Sequence, residues 1–434
     1  MNAIGFALNL TNRFAGSPLV SRLGLRKPAE KLAYTVTKQG FTALIKGQET
    51  LKNKRKNSSS SNPQKAESRS SLLFDLNLSD EQLMIRDNAE RLAENLRTNA
   101  ESAAKARQPS EQTWQESDEL GMGYFVLPES FEGMEMAHAS ETWQLLTEEL
   151  ARGDMGQALA LLSPVSAALC ITRWGQPSLK KHWLDKLAES GRIQGTLAHQ
   201  EPGTTQTQAS LNCIAKAKSS GYRLNGTKTL VALSSTAEFF LVTAALSTKE
   251  NGLFLIPRNS KGLTVSPTPA MGLHSADTGS LTLKNVDIPK DHQLNANSFC
   301  FQQWLSLSQI AASALACGTS QAVLDYTVPY CNEREAFGEP ISHRQSVAFM
   351  IADIATELEG MRLLTTRAAS RAERGDSCTR EARLAHYLCC TKGMEIGTDG
   401  VQLLGGHGFI QEHPVERWYR DLRAIPLLAG SLII

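Results

Sequence analysis

The residues whose types and spacing most strongly suggest chemistry lie near the end of the chain, in the run Gln402-Leu-Leu-Gly405-Gly406-His-Gly408-Phe409. Glycine has no Cβ, so adjacent glycines at a helix end allow a ligand to approach the backbone closely. A helix C-cap followed by a turn would explain the glycines alone equally well. It does not explain the charged residues that follow at short spacing, which are Glu412, Arg417, Arg420 and Asp421. The run therefore predicts a turn that binds a ligand.

Other kinds of site find little support. None of the eight cysteines forms a C-x-x-C pair, and no histidine pair stands at metal-ligand spacing. We expect reduced thiols in a reducing compartment, and no metal site. The formal net charge of +1 gives no sign of a nucleic-acid partner. No apolar run reaches the roughly 18 residues that a membrane-spanning helix needs, so we expect none.

The first 70 residues differ in charge from the remainder. They hold 13 Lys and Arg against 3 Asp and Glu, whereas the rest of the chain holds 32 basic and 41 acidic residues. Three interpretations stay open: a solvated tail, a segment held at an anionic membrane surface, or an organellar transit peptide. We therefore expect a cytoplasmic protein that can be peripheral to a membrane, with a mitochondrial location as the alternative.

The hydrophobic period divides the chain into four parts. Residues 1–75 form a basic extension and linker, 76–192 a helical domain, 193–292 a β domain, and 298–434 a helical bundle that looks truncated at its end. The predicted fold class is mostly α with a small central antiparallel β domain.

Local signals make these predictions specific. Ser79 followed by Gln82 predicts a helix start, and Asn225-Gly226 predicts the tight turn of a hairpin over 222–228. The Ala-rich, nearly uncharged stretch Leu305–Tyr330 predicts a buried helix. Two further helical stretches, 342–375 and 379–403, complete the bundle.

Three stretches resemble the acyl-CoA dehydrogenase family. They are the run from Gln402 to Asp421, the run Leu324–Gly338 with Gln345 behind it, and the start Leu78-Ser-Asp-Glu-Gln. The resemblance covers about residues 76–431 and is closest to the isovaleryl-type branch over 310–420. It implies that family's fold, which is an α-helical domain, a β-barrel and a four-helix bundle, in the order already predicted from the residues.

The resemblance also implies a cofactor and partners. It implies FAD shared between neighbouring subunits of a homo-dimer or tetramer, an acyl-CoA substrate, and an electron-transfer flavoprotein or similar acceptor. The residues implied to hold the ADP half of FAD are Arg334, Phe337, Gln345, Gln402, Gly405 and Gly406. A guanidinium fork matches a diphosphate well, although a lone arginine is more often only a surface cation.

Both positions of the family's catalytic base are non-acidic here. Family members remove the α-proton of an acyl-CoA thioester with a glutamate while the β-hydride passes to the flavin. The position used by most members is Ala429, and the one used by the isovaleryl-type branch is Ser308. No Asp or Glu occurs over 298–322 or 423–434, so the catalytic residue is unknown.

The stretches that hold the flavin ring in the family are altered too. Its T-E-P-G-A-G-S-D is Gln200–Thr207 here, its W-I-T is Leu230-Val231-Ala232, and its M-G-x-R-x-S-D-T is Met271–Thr278. Ser306 and Gln309 replace an Asp and an Arg that contact substrate in medium-chain relatives. The family's last long helix has no counterpart in this sequence.

Three functions follow from this pattern. One is an FAD-dependent acyl-CoA dehydrogenase of fatty-acid or branched-acyl oxidation with a relocated base, for which Glu201, Glu148 and Glu149 are candidates. The alternative is a non-catalytic relative that binds FAD or acts as a scaffold partner. The third is a membrane-surface interaction protein that uses the basic extension.

Overall fold

The structure, a computed structural model, describes residues 76–203, 211–295 and 299–434. The basic extension over 1–75, with the interpretations attached to it, lies outside the described residues. The segment 204–210, which holds the second half of the Gln200–Thr207 stretch, also lies outside them.

Six helices form the N-terminal part. The first begins at Ser79, whose Oγ accepts a hydrogen bond from the Gln82 amide while the Gln82 side chain accepts one from the Ser79 amide. The capping box predicted from the sequence is thus confirmed. The helices are α1 (Asp80–Ala106), α2 (Glu111–Glu119), α3 (Met122–Val126), α4 (Ser140–Gly153), α5 (Met155–Trp174) and α6 (Pro177–Ser190).

Helix α5 is the central helix of this part. By length and composition it could cross a membrane, which the sequence analysis did not anticipate, but 94% of its most apolar window is buried inside the protein. It packs against the β domain and the other helices, as a core helix of a globular domain does.

The middle part is one curled sheet in the order β1-β4-β2-β3-β7-β6, and β5 also pairs with β4. Its strands are β1 (Gly195–Ala198), β2 (Ile214–Lys218), β3 (Gly221–Val231), β4 (Phe239–Ala245), β5 (Asn251–Pro257), β6 (Leu263–Pro267) and β7 (Gly279–Pro289). Four of the six pairings are antiparallel, as predicted, while β4 pairs in parallel with β1 and, at one residue, with β2.

The predicted hairpin turn at Asn225-Gly226 is wrong, because both residues lie inside β3. The chain turns earlier, where Lys218 of β2 pairs with Gly221 of β3. At Gly226 the register with β7 shifts, φ is +151°, and an added Cβ would lie 2.6 Å from the Cα of Cys213. Gly226 therefore allows a β-bulge and a close approach of β3 to Cys213, which are two common reasons for a glycine inside a strand.

The C-terminal part is a helical bundle around α7. The prediction that this helix is buried is confirmed for most of its length. Its elements are α7 (Phe301–Glu333), β8 (Glu335–Ala336), β9 (Glu339–Pro340), α8 (Gln345–Glu373), α9 (Thr379–Leu404) and α10 (Val415–Leu422). The residues after α10 return to the core, since Leu428 to Ile434 are all buried. They bring Ala429 and Gly430 back to α7 and β1.

Candidate cofactor and acyl site

Arg334 and Phe337 project from the end of α7. Arg334 caps that helix, and a two-residue turn between β8 and β9 follows it. Both turn residues, Phe337 and Gly338, have positive φ, which is the backbone of a tight hairpin but is strained for a bulky aromatic. The turn leaves Phe337 96% exposed. Its ring touches the guanidinium of Arg344, 5.5 Å from the ring centroid, and otherwise faces outward.

The glycines at the end of α9 present bare backbone to the outside. Gly405 and Gly406 are exposed, and a Cβ added to either would find no described atom within 4 Å. Three exposed polar side chains of the same set, Arg334, Gln345 and Gln402, form no hydrogen bond or ion pair with any described residue. These residues are therefore free to contact a ligand.

Two tyrosines tie the glycine loop to α7. The Tyr330 hydroxyl and Nδ1 of His407 share a hydrogen bond of 2.8 Å, and Tyr326 and His413 share one of 2.7 Å. The two imidazole rings stack with their centroids 5.0 Å apart. Tyr330 lies one helical turn before Arg334, so the arginine and the loop belong to the same side of the bundle.

Two of the charged residues behind the glycines, Arg417 and Asp421, make contacts inside the protein. Arg417 lies 3.3 Å from Asp154 at the start of α5, and the Asp421 carboxylate accepts a hydrogen bond of 2.6 Å from the Leu273 amide of the β domain. Burial and, secondly, the Asp154 carboxylate raise the pKa of Asp421 to about 7. These contacts join three parts of the chain. The sequence predicted that all four charged residues belong to the ligand-binding turn. Arg417 and Asp421 instead point inward, while Glu412 is exposed.

The two positions expected to hold a base do meet in space. Ser308 is completely buried on α7, and its Oγ accepts a hydrogen bond from the Gly430 amide, next to Ala429. On the other side of Gly430 lies the His199 ring, because a Cβ added to Gly430 would stand 2.4 Å from His199 Cδ2. The described residues therefore place a serine, an alanine and a histidine at this point, and no carboxylate.

A buried polar network that the sequence analysis missed lies behind His199. The Lys228 ammonium is wholly buried and donates to Glu201 at 2.7 Å, to the His199 carbonyl at 2.9 Å and to the Thr243 hydroxyl at 3.1 Å. Burial and then the Lys228 charge lower the pKa of His199 to about 3, so its ring is neutral. The available signal was a lysine at an inward position of a strand, which needs a buried partner.

Comparison with known proteins agrees with this architecture. Residues 79–191, 196–286 and 300–432 match the N-terminal, middle and C-terminal domains of acyl-CoA dehydrogenase. The chain is 30% identical over 321 residues to cyclohex-1-ene-1-carbonyl-CoA dehydrogenase of Geobacter metallireducens, covering 72% of this chain and 84% of the relative. It is 30% identical over 322 residues to the mitochondrial short-chain specific acyl-CoA dehydrogenase of Rattus norvegicus, covering 72% and 77%.

Solved structures of acyl-CoA dehydrogenases have the same fold. A glutaryl-coenzyme A dehydrogenase in complex with glutaryl-CoA matches with a TM-score of 0.74 at 28% identity, covering 82% of this chain and 93% of that one. Butyryl-CoA dehydrogenase from Megasphaera elsdenii matches with a TM-score of 0.73 at 26% identity, covering 82% and 96%. The chain belongs to the acyl-CoA dehydrogenase family. That family consists of FAD-dependent flavoprotein oxidoreductases, so the resemblance seen in the sequence and the fold expected from it are both confirmed.

The structure shows what surrounds the three carboxylates that could act as a relocated base. Glu201 is held by Lys228 and by the amides of Asn212 and Cys213, so both of its oxygens are engaged. Glu148 is paired with Arg362 at 2.6 Å. Its backbone and that of neighbouring Glu149 lie at the level of Gly318, ten residues along α7 from Ser308, which is roughly 15 Å. The geometry favours none of these carboxylates as a base at Ser308.

Proposed function

We propose that this protein binds FAD on the exposed face formed by Arg334, Phe337, Gln345, Gln402 and Gly405-Gly406, and oxidises an acyl-CoA thioester at its α,β-carbons. The observation that carries the proposal is that these residues are exposed and that their polar side chains have no partner among the described residues. A buried or ion-paired arginine could not take a diphosphate without losing a contact, whereas Arg334 loses none.

Within this proposal the chain's own residues have distinct tasks. Arg334 binds the diphosphate, and Gly405-Gly406 lets the adenosine half lie against the backbone. FAD bound there would supply the acceptor for the β-hydride. Because this face is directed away from its own core, a second copy of the chain would receive that FAD, which requires a homo-oligomer. The acyl group would lie beside Ser308, Ala429 and His199, and the electrons would leave to an electron-transfer flavoprotein or a similar acceptor.

The non-catalytic alternative is not favoured by the comparisons, since the relatives they name are acyl-CoA dehydrogenases. The alternative depends on the absence of a carboxylate at Ser308 and Ala429. The visible spectrum of the purified full chain separates the two. We expect a yellow protein whose flavin absorbance falls when butyryl-CoA is added without oxygen. A yellow protein that butyryl-CoA never bleaches would establish the alternative, and a colourless protein that takes up no FAD would refute both.

For the basic extension we propose contact with an anionic membrane surface, in a protein that otherwise stays in the cytoplasm. The support is its composition of 13 Lys and Arg against 3 Asp and Glu, since each basic residue near an anionic surface contributes about 1 kcal/mol. A mitochondrial location is the alternative, and the mitochondrial relatives lend it weak support. Full-length protein should sediment with phosphatidylglycerol vesicles but not with phosphatidylcholine vesicles. Replacing Lys52, Lys54, Arg55 and Lys56 by Glu should abolish that sedimentation, and equal sedimentation of both proteins would refute the membrane contact.

A further inference from the structure

An open cavity of about 420 Å³ lies where the N-terminal helices meet the start of the β domain. Its walls are the end of α1, the start of α2, the residues that lead into β1 and the turn that follows β3. Within the described chain, no residue of the proposed cofactor face or of the acyl site lines it. A cavity of this size can hold a small metabolite.

Arg192 is the one basic residue in the described lining of this cavity. Its guanidinium carbon lies 4.3 Å from the centroid of the Trp114 ring. Its Nη1 atom is buried 3.4 Å from a carboxylate oxygen of Asp118 and makes no hydrogen bond. The other two nitrogens, Nε and Nη2, stay accessible and have no partner in the described part of the chain. A guanidinium that rests on an aromatic ring and keeps free N–H groups is preorganised to bind the two oxygens of an oxyanion.

Two half-buried amide side chains line the same cavity. Asn99 of α1 and Gln194, just before β1, form no side-chain hydrogen bond with any described residue. A carboxamide has two donor protons and an acceptor oxygen, so each can bind a hydroxyl, carbonyl or amine group of a ligand. The wall also includes the buried apolar residues Ala103, Pro109 and Leu233. The cavity therefore suits an organic molecule with one charged end and further polar groups better than a bare inorganic ion.

The one acidic residue in the described lining is Glu111, which is exposed in the first turn of α2. Its charge reaches the surroundings of Arg192. Burial raises the pKa of Asp118, the Arg192 charge opposes that rise, and the Glu111 charge adds to it. Glu111 therefore repels an anion at Arg192, but the repulsion is weak because an exposed carboxylate acts largely through water. The free donors of the guanidinium decide the sign of the ligand.

We propose that this cavity binds a small organic oxyanion, which is a carboxylate or a phosphate ester. Arg192 binds the oxyanion, and Asn99 and Gln194 bind the polar groups of the remainder. Carboxylate and phosphate share this chemistry because both present two oxygens at the spacing of a guanidinium fork. The site goes beyond the proposed function, since it needs neither FAD nor an acyl-CoA thioester.

The test is isothermal titration calorimetry of the full-length protein with excess FAD, which keeps the probes away from the cofactor face. The probes are AMP, succinate and inorganic phosphate, and the uncharged controls are adenosine and succinamide. We expect saturable binding of AMP, of succinate or of both, and none of the controls. Binding of AMP alone identifies a phosphate ester, and binding of succinate alone identifies a carboxylate. Inorganic phosphate should bind more weakly than the organic probe, because it cannot reach the amide side chains.

Variants locate the bound probe. Arg192→Gln should weaken binding about 10- to 100-fold, because it removes charge-assisted hydrogen bonds. Ala106→Leu narrows the cavity without changing a charge, since Ala106 is exposed in the lining, and it should weaken binding as well. Glu111→Gln removes the repelling charge and should tighten binding about twofold. The matched control is Arg97→Gln, also on α1 but outside the lining, which should bind normally.

Two results would overturn the inference. One is the absence of saturable binding of all three probes up to about 10 mM. The other is unchanged affinity in both Arg192→Gln and Ala106→Leu, which would place the probe elsewhere. If Arg192→Gln does not fold, Ala106→Leu and Glu111→Gln decide, and weaker binding in Glu111→Gln would contradict an anionic ligand. None of these results depends on bleaching of the flavin by butyryl-CoA, so failure here leaves the proposed function standing.

Discussion

The two regions of the candidate site differ in how many hydrogen bonds and ion pairs their residues already form within the protein. On the outer face, Arg334, Gln402 and the glycines at 405–406 are exposed and make no side-chain contact within 76–203, 211–295 and 299–434 that a ligand would have to break. At the inner site, Lys228, Glu201 and the Gly430 turn are buried and almost completely hydrogen-bonded within the chain. Substitutions on the outer face should therefore change ligand binding and spare stability, while those at the inner site should change stability or chemistry.

The same contrast separates retained from altered family features. The outer face keeps the residues that the acyl-CoA dehydrogenase resemblance implies for the ADP half of FAD. The inner site has Ser308 and Ala429 at the positions where the resemblance implies the base, and a histidine lies beside them. We expect a protein with this division to bind FAD as its relatives do but to remove the α-proton slowly.

Restoring the base should have the largest effect. Ala429→Glu should raise the rate of butyryl-CoA-dependent dye reduction by about 10²–10⁴-fold, because a general base typically contributes that much. Ala429→Gln is the matched control, since it has the same size without the carboxylate. Equal rates for the two variants would show that the missing carboxylate is not what limits this protein.

Breaking the buried ion pair should be the most destabilising change. Lys228→Met leaves Glu201 buried without its partner, and such losses cost about 3–5 kcal/mol. Urea unfolding measures this directly, with the exposed Lys216→Met of β2 as control. A loss no larger than the control's would contradict a tightly satisfied inner site.

Filling the bare backbone should weaken FAD binding with little effect on stability. An alanine methyl at Gly406 meets no described atom within 4 Å, so the fold should accept it. The methyl would occupy space assigned to the ligand, and we expect about tenfold weaker FAD binding by fluorescence titration. Gly360→Ala, at a half-buried position of α8 where the added methyl would lie 3.9 Å from Leu388, should bind FAD normally. Unchanged affinity in Gly406→Ala would remove the glycine loop from the site.

The smallest expected effect is on the pH dependence of stability. The pKa of Asp421 is raised by burial to about 7, so its protonated form is favoured in the folded protein. Its contribution is present below pH 4 and is lost as the pH rises through about 7. Asp421→Asn keeps the acceptor for Leu273, and should flatten the fall in Tm between pH 5 and pH 8. An identical pH profile for Asp421→Asn would argue that another group titrates there.

Local sequence signals predicted the fold well where the deciding contacts are local. The Ser79 cap acts over three residues, and the uncharged length of α7 fixes its burial. Asn225-Gly226 failed because the same dipeptide fits a turn or a bulge, and the choice depends on β7, about 60 residues away. Gly226 lies against Cys213, a contact that no short window contains.

The candidate site could be predicted only in part, for a similar reason. The residues of the outer face were identified by resemblance, although nothing in the sequence indicates that Arg334 has no partner. The inner network joins His199, Lys228 and Thr243 from three strands or strand ends, and only the folded sheet brings them together. A lysine in an apolar strand indicates that such a network exists, but it does not indicate which residues are the partners of that lysine.

The most direct test of the account is FAD retention by Arg334→Ala. We predict that the variant has the Tm of the unmodified protein without added FAD and binds FAD about 10- to 100-fold more weakly, since it loses a charge-assisted pair of hydrogen bonds. Arg380→Ala, an exposed arginine at the start of α9, should bind FAD normally. If Arg334→Ala retains as much FAD as the unmodified protein, the exposed face is not where the diphosphate binds.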